Sequence, residues 1–578
     1  MFQFFNKFNK YHLIIFIILI LVGLAIYANS LGNDVFWDDD DFLFNNVFVK
    51  EPAKYWTYYF TDNVIAGAGV ISDYWRPLLL SVYSLEWHFW EQDFLPGYHF
   101  VSVLWHILNA CLLFYFLSRL AGLFKKKSVA FLAALIFLIH PLQTEAVDYV
   151  SSLGDMLNVF FVLVGLIFYI KAEQYFHTFQ PEADPPLAEK YESIIKLNLF
   201  KAWFFYSAAV FCYILGLLSK ETAIIMLGLL ILVEFYLWRA QNRQQNFLKF
   251  LKNASLKLLP FFSVALIYFI LRATVLNFRS TFNLYADQIN FYSQNFFWRL
   301  FTFFKALTIY LRLLLFPVGL HMERTADVAD AYFDWSVIFG LIIFILSVWL
   351  AARCWKNKPH YTFAIAWFYI ALAPVSGIII PVNAPIYEHW LYLPMVGFWL
   401  LLIFAASDLQ KKWNRARPAL LLLLLIFLIF FSAQTIRQNR IWRDPITFYK
   451  NVIKYNDQQL RVWNNLGMEY ADKKMLPQAI IAYLRAIALD TENISAPPHH
   501  NLAGTYKEQG RAADAEREYL RAIQIDKEFI YSYYGLVGLY VNSGRPERAL
   551  EVMQTARQVF PKNKNIPKDI EMLKQAIK

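Results

Sequence analysis

A ladder of apolar runs governs what this chain can become. After an opening run that starts at Leu13, such stretches recur near 97–121, 128–141, 155–171, 202–219, 222–238, 257–275, 336–354, 360–380, 390–407 and 418–436. A helix needs about 20 residues to cross a hydrocarbon core, where each backbone polar group must be satisfied internally. The ladder therefore predicts an all-α polytopic membrane protein of about eleven transmembrane helices. Composition agrees, with 58% of the 578 residues hydrophobic and 17% charged; a soluble domain carries about 25% charged residues.

The side of each loop follows from charge. The clusters "KKK" at 125–127, "WRAQNRQQNFLKFLKN" at 238–253, "RCWKNK" at 353–358 and "KKWNRAR" at 411–417 belong in the cytoplasm by the positive-inside rule. Eleven crossings from a cytoplasmic N-terminus put all four there and leave the C-terminus outside. The formal charge of +10 is thereby explained without nucleic acid. The opening run follows Lys7 and Lys10 like the core of a signal peptide. No clear small-x-small cleavage site precedes a mature domain, "AIYANS" being the one stretch left open, so an uncleaved first helix is expected. Residues 172–201 read as a polar cytoplasmic loop. The segment 296–320 carries Arg299, Lys305 and Arg312 on one face and aromatics on the other, which predicts an interfacial helix within an outer loop 276–335. Cys111, Cys212 and Cys354 lie far apart and read as small buried hydrophobes.

Past residue 436 the chain turns polar and repeats itself. Leu466, Leu502 and Leu536 recur in step with Tyr470, Tyr506 and Tyr540, and with Ala479, Ala515 and Ala549, at spacings of 36 and then 34 residues. Small residues where helices touch and large ones between them make the tetratricopeptide pattern. The expected domains are a membrane domain over 1–436, a connecting helix over 437–459, a tetratricopeptide α-solenoid over 460–563 and a capping helix over 564–578. Such an array implies a protein partner.

The outer loops collect ionisable residues at the membrane edge, where charge is expensive and tends to be functional. "FWDDDDFLFNN" pins four carboxylates beside Phe36, Trp37, Phe42 and Phe44. Adjacent carboxylates in a low dielectric raise one another's pKa, which suits a general base near neutral pH; holding a divalent cation is the rival role. His140 and Glu145 lie about a turn apart, His140 serving either a site or a helix end. His99 and His106 share a helix face and read as interhelical hydrogen-bonders. Lys220 and Glu221 form either an ion pair or an anion site, Arg76 is similarly open, and Arg272 and Arg279 read as interfacial anchors.

These stretches in this order, "FWDDDDFLFNN", "YWRPLLLSVYSLEW", "YHFVSVLWHILNACLL", "HPLQTEAVDYVSS", "SKETAIIMLGL" and "YEHWLYLPMVGF" followed by the repeats, resemble the transmembrane-and-TPR O-mannosyltransferases and their bacterial relatives within the GT-C glycosyltransferases. The resemblance implies a polyprenyl-phosphate-linked sugar donor, possibly mannose, and transfer to a hydroxyl on the non-cytoplasmic face, usually with inversion. An acidic residue of the first outer loop would be the base, Asp39 or its neighbour Asp38, with Asp40 and Asp41 leaving the register open. Arg76, Lys220 and His389 become candidates for the leaving phosphate, and Glu221, Glu388 and Tyr392 join His140 and Glu145 as outer-face candidates. No metal ligand set is assigned. The family carries Arg after "YVSS" and within "EHRLYLP", where this chain has Leu153 and Trp390. That departure moves phosphate binding to Lys220 and Arg76, marks a different donor, or marks lost catalysis. A non-catalytic scaffold using the repeats, and a transferase acting on glycolipid, are the alternatives. Compact loops and the absence of retention signals favour a bacterial inner membrane with periplasmic repeats over the endoplasmic reticulum.

Overall fold

The computed structural model describes residues 10–120, 127–177, 185–240, 247–276, 295–324, 334–382, 384 and 386–577, and every regular element among them is helical. The chain divides into two units, residues 1–443 and 444–578.

Among the described residues of the first unit seven helices are long and apolar enough to cross a membrane: Leu95–Arg119, Val150–Phe176, Lys196–Ser219, Glu221–Arg239, Phe250–Thr274, Trp335–Cys354 and Asn414–Asn439. Ser128–Ile139 and Pro141–Asp148 make an eighth, bent by 54°. The bend falls at Pro141, whose ring cannot continue the preceding turn. The other three expected runs appear as shorter helices, Lys10–Ile26, Pro359–Leu372 and Met395–Lys412. The helix predicted over 360–380 gives out early because Pro374 leaves only a 3₁₀ turn, Ala373–Val375. The run 390–407 turns helical only after Pro394. This is a multi-pass membrane protein, and burial sorts its helices. Val150–Phe176 has 78% of its apolar window inside the protein, whereas Trp335–Cys354 and Asn414–Asn439 have 11%. The first is the hub; the others turn Phe339, Ile345, Leu421 and Ile429 outward, as lipid-facing helices do.

Two expectations change. Residues 172–201 are mainly helical, with one helix running to His177 and the next, Pro185–Ser219, starting at the proline pair. Those prolines look like loop residues, yet the first helical turn tolerates proline because its N–H has no intrahelical partner. The amphipathic segment does form a helix, Phe296–Leu315, but Trp298, Phe303, Leu307, Tyr310 and Leu314 on its apolar face are buried in protein. Its cationic side is tethered by Lys305 to Asp334 at 3.2 Å. Residues 277–294 and 325–333 of the expected outer loop, Arg279 among them, lie outside the described residues.

The second unit opens with Pro445–Tyr455, capped by Asp444 through the Thr447 N–H, and packed on Leu460–Asp472. Three helical hairpins follow: Leu460–Asp472 with Leu476–Leu489, Ala496–Glu508 with Ala512–Ile525, and Ile530–Asn542 with Pro546–Val559; Ile566–Ile577 closes the array. Ala479, Ala486, Ala515, Ala522, Ala549 and Ala556 are all sealed at helix contacts. Gly467 sits against the Tyr483 ring, so close that a Cβ would lie 2.5 Å from it.

Candidate functional site

The acid run is held in an unusual conformation. Trp37 adopts φ 68°, the left-handed region that costs a bulky residue about 1–3 kcal/mol and persists where the surroundings impose it. Here Phe36 stacks on Trp442 at 6.1 Å, and Trp442 also stacks on Tyr149 at 5.6 Å. The four acids diverge as a result: Asp39 is 2% exposed, Asp38 and Asp41 are half-buried and Asp40 is exposed. Asp39 Oδ1 accepts from the Ser151 N–H at 2.7 Å and from the Ser151 hydroxyl at 2.5 Å, while Oδ2 accepts only a 3.3 Å bond from the Phe36 N–H. Burial pushes the Asp39 carboxyl up to about 7, against the lowering pull of the Ser151 and Phe36 bonds. The bond to Ser151 explains why "FWDDDD" and "YVSS" occur together. Asn46 is structural: its side chain caps the Phe48 N–H and donates to the Val64 carbonyl at 2.8 Å.

Arg76 and Lys220 each hold a carboxylate partner. Arg76 Nη2 donates to Glu221 Oε1 at 2.8 Å, Nε to Oε2 at 3.3 Å, and the guanidinium lies 4.5 Å over the Tyr74 ring. Lys220 Nζ meets Asp155 Oδ2 at 2.6 Å. Arg272 is no interfacial anchor. It is 4% exposed, donates to the Asp73 carbonyl at 2.7 Å, and acts electrostatically on Glu221. Its place on the last helical turn made it look like a lipid-headgroup contact; only the packing of the 73–76 loop shows otherwise. Tyr83, whose hydroxyl donates to the Val150 carbonyl, lies within electrostatic reach of Asp39, Arg76 and Asp155 at once.

A third group forms around the loop before Met395. Glu145 Oε1 meets His389 Nδ1 at 2.7 Å, and Oε2 accepts from the Glu388 N–H at 2.9 Å. Glu388 pairs with Arg324, Nη2 to Oε1 at 2.6 Å, both nearly sealed from solvent. Burial holds the Glu388 carboxyl above the usual carboxylate range despite that guanidinium. Arg324 was not foreseen; its signal in "HMERTAD" is one cation beside an acid in a loop, too common to single out. Tyr387 lies within reach of Glu145, Tyr74 and Asp38, joining this group to the acid run.

His140 and Tyr392 are placed otherwise. Both His140 ring nitrogens are engaged by backbone, Nε2 with the Leu314 carbonyl at 3.0 Å and Nδ1 with the Leu142 N–H at 3.2 Å. The Tyr392 hydroxyl meets His106 Nδ1 at 2.8 Å and Asn109 Nδ2 at 3.2 Å inside the helix bundle; His106 thus bonds across helices as expected. Between the groups opens a narrow cleft whose polar lining is Asp155, Asn158, Thr222, His389, Trp390 and Tyr392. Among the described residues no three His, Cys, Asp or Glu side chains cluster as a metal set.

Fold and site together define a polytopic membrane protein with paired buried charges and a tetratricopeptide-repeat unit. The tetratricopeptide-repeat family matches residues 460–493 and 496–529. Relatives of the chain include protein O-mannosyl-transferases: one of Caenorhabditis elegans, 24% identical over 82% of this chain and 62% of that protein, and TMTC3 of Mus musculus, 23% identical over 89% and 55%. The chain spans less than two thirds of the length of these curated relatives. Among solved structures, an archaeal oligosaccharyltransferase from Archaeoglobus fulgidus, in complex with an inhibitory peptide and a dolichol-phosphate, matches with a TM-score of 0.39 and 14% identity, covering 78% of this chain and 56% of that one. That likeness is too slight to build on.

Proposed function

We propose that the protein is a membrane glycosyltransferase moving a sugar, mannose by analogy with its relatives, from a polyprenyl phosphate to a protein hydroxyl on the non-cytoplasmic face of a bacterial inner membrane. One observation carries the reading: the buried Asp39 carboxylate, bonded to Ser151, and the Arg76 and Asp155 charges all act electrostatically on Tyr83. Asp39 Oδ1 is committed to Ser151, whereas Oδ2, held by one long bond, has capacity for a proton. The acceptor oxygen attacks the anomeric carbon and passes its proton to Asp39. The bond from that carbon to the phosphate oxygen breaks, and its electron pair leaves on the phosphate opposite the attack, inverting the centre. Arg76, Lys220 and Arg272 outnumber Glu221 and Asp155, so positive charge remains where negative charge develops, which is where preorganised electrostatics lower a barrier most. The repeats recruit the acceptor or a partner protein.

The test is transfer from radiolabelled polyprenyl-phosphate sugars in purified membranes, with Asp39→Asn and Asp38→Asn beside the unsubstituted protein. Loss in Asp39→Asn is expected; unchanged transfer in both removes the base. One observation favours a non-catalytic scaffold instead: Arg76 and Lys220 already hold carboxylate partners. Absence of transfer from every donor, with partners still captured by the repeats, selects that reading.

A further inference from the structure

The cleft beside the Lys220–Asp155 pair has a division of chemistry that the transfer reaction alone does not account for. Asp155, Asn158 and Thr222 line it together with the apolar side chains of Val159, Ile225 and Val375 and the ring of Trp390. Asn158 is 2% exposed, and its Nδ2 donates to Thr222 Oγ1 at 2.8 Å. Among the described residues its Oδ1 is buried with no hydrogen-bond partner. Leaving a buried acceptor unsatisfied costs about 1–3 kcal/mol, and such a group in a native fold calls for an explanation. The Thr222 hydroxyl, having accepted from Asn158, keeps its own proton to donate. Asn158 and Thr222 therefore present one acceptor and one donor side by side. That is the complement of a hydroxyl-bearing ring carbon, since each ring hydroxyl both gives and takes a hydrogen bond.

Charge in the cleft is already cancelled. Asp155 is neutralised by Lys220, and His389 is engaged with Glu145. Trp390, where the resembling family has Arg, adds an aromatic surface 5.1 Å from the Tyr387 ring and no cation. Among the described residues the lining itself holds no lysine or arginine for an anionic headgroup, whereas an uncharged polyol finds hydrogen-bond partners and a flat apolar wall, the usual construction of a small-molecule site. Lys220 adjoins the cleft through its ion pair with the lining residue Asp155.

We infer that this cleft is the subsite for the uncharged hexose of the lipid-linked donor, with Asn158 and Thr222 hydrogen-bonding its hydroxyls and Trp390 covering a ring face. The inference rests on the proposed donor class. It predicts that the protein discriminates a sugar-bearing lipid from a bare one at the level of binding.

The experiment is equilibrium binding, by the full chain in lipid nanodiscs, of mannosyl and glucosyl polyprenyl phosphate and of unglycosylated polyprenyl phosphate of equal chain length. At least one glycosylated lipid should bind about 10-fold or more tightly than the bare lipid. Asn158→Leu and Thr222→Val should each shrink that ratio at least fivefold while bare-lipid affinity holds, and Lys220→Met should weaken all three lipids together. Equal affinity of the unsubstituted protein for glycosylated and bare lipids overturns the assignment, a measurement that needs no variant to fold. Equal weakening of all lipids by Asn158→Leu also overturns it. Sugar discrimination without any turnover would sink the proposed transfer and leave the subsite standing.

Discussion

The membrane unit and the repeat unit use the same ion pairs to different ends. Arg324–Glu388 is a pair with side chains 5% and 3% exposed, whereas Lys474–Glu508 in the repeats has 73% and 44%. A buried pair sets a large desolvation cost against its attraction, and removing one member strands the other charge at about 3–5 kcal/mol. An exposed pair is screened and contributes about 0–1 kcal/mol. The first kind holds its groups in one geometry at a steep cost; the second decorates a surface whose stability lies in the alanine and tyrosine contacts beneath. Buried charge in the membrane unit therefore points to chemistry, and exposed charge in the repeats to solubility and recognition.

The sharpest way to break that contrast is Asp39→Asn. Transfer should fall by about 10²–10⁴-fold, the usual range for a lost general base, with the fold retained by circular dichroism. Transfer by the unsubstituted protein should rise with pH through about 7, as the carboxylate that accepts the proton forms, and then level. The linked stability has the opposite sign. A carboxyl raised from 3.8 to about 7 in the folded state favours folding fully below the lower value and loses that contribution as pH climbs through the upper one.

Lys220→Met comes next, stranding Asp155 in a setting with about a tenth of either side chain exposed. Unfolding in detergent should show a loss of about 3–5 kcal/mol, and Lys220→Met with Asp155→Leu should recover most of it. Without such recovery, the pair would not be the source of the cost. In the repeats, Gly467→Ala should cost about 1–3 kcal/mol by overpacking, because its Cβ would meet the buried Tyr483 ring at 2.5 Å. Smallest of all, Lys474→Ala should shift stability by under about 1 kcal/mol. A Lys474→Ala loss as large as that of Lys220→Met would erase the distinction between the units.

The runs that form spanning helices, the repeats and their alanines, and the clustering of charge between apolar runs are all present in the sequence, because hydrophobic length and helical period are local properties. Asp39 could also be nominated from its neighbours. Its partner Ser151, more than a hundred residues away, could not, nor could the strained Trp37 that turns Asp39 inward and leaves Asp40 outside. Arg272 and Arg324 escaped for the same reason: an arginine at a helix end or in a loop has the same sequence signature whether it meets lipid or a buried acid. The prolines at 185 and 186 show the converse error, a local breaker signal at what is in fact a helix start.

What the sequence determined alone was the membrane class, the positions of most helices, the helical-repeat appendage and the loop that carries the acids. Tertiary structure decided which acid is buried, which cation each carboxylate holds, and that Asn158 and Thr222 face the cleft beside Trp390. The physical reason is range: backbone hydrogen bonding and burial periodicity act within a few residues, whereas desolvation and ion pairing depend on what the fold brings across hundreds.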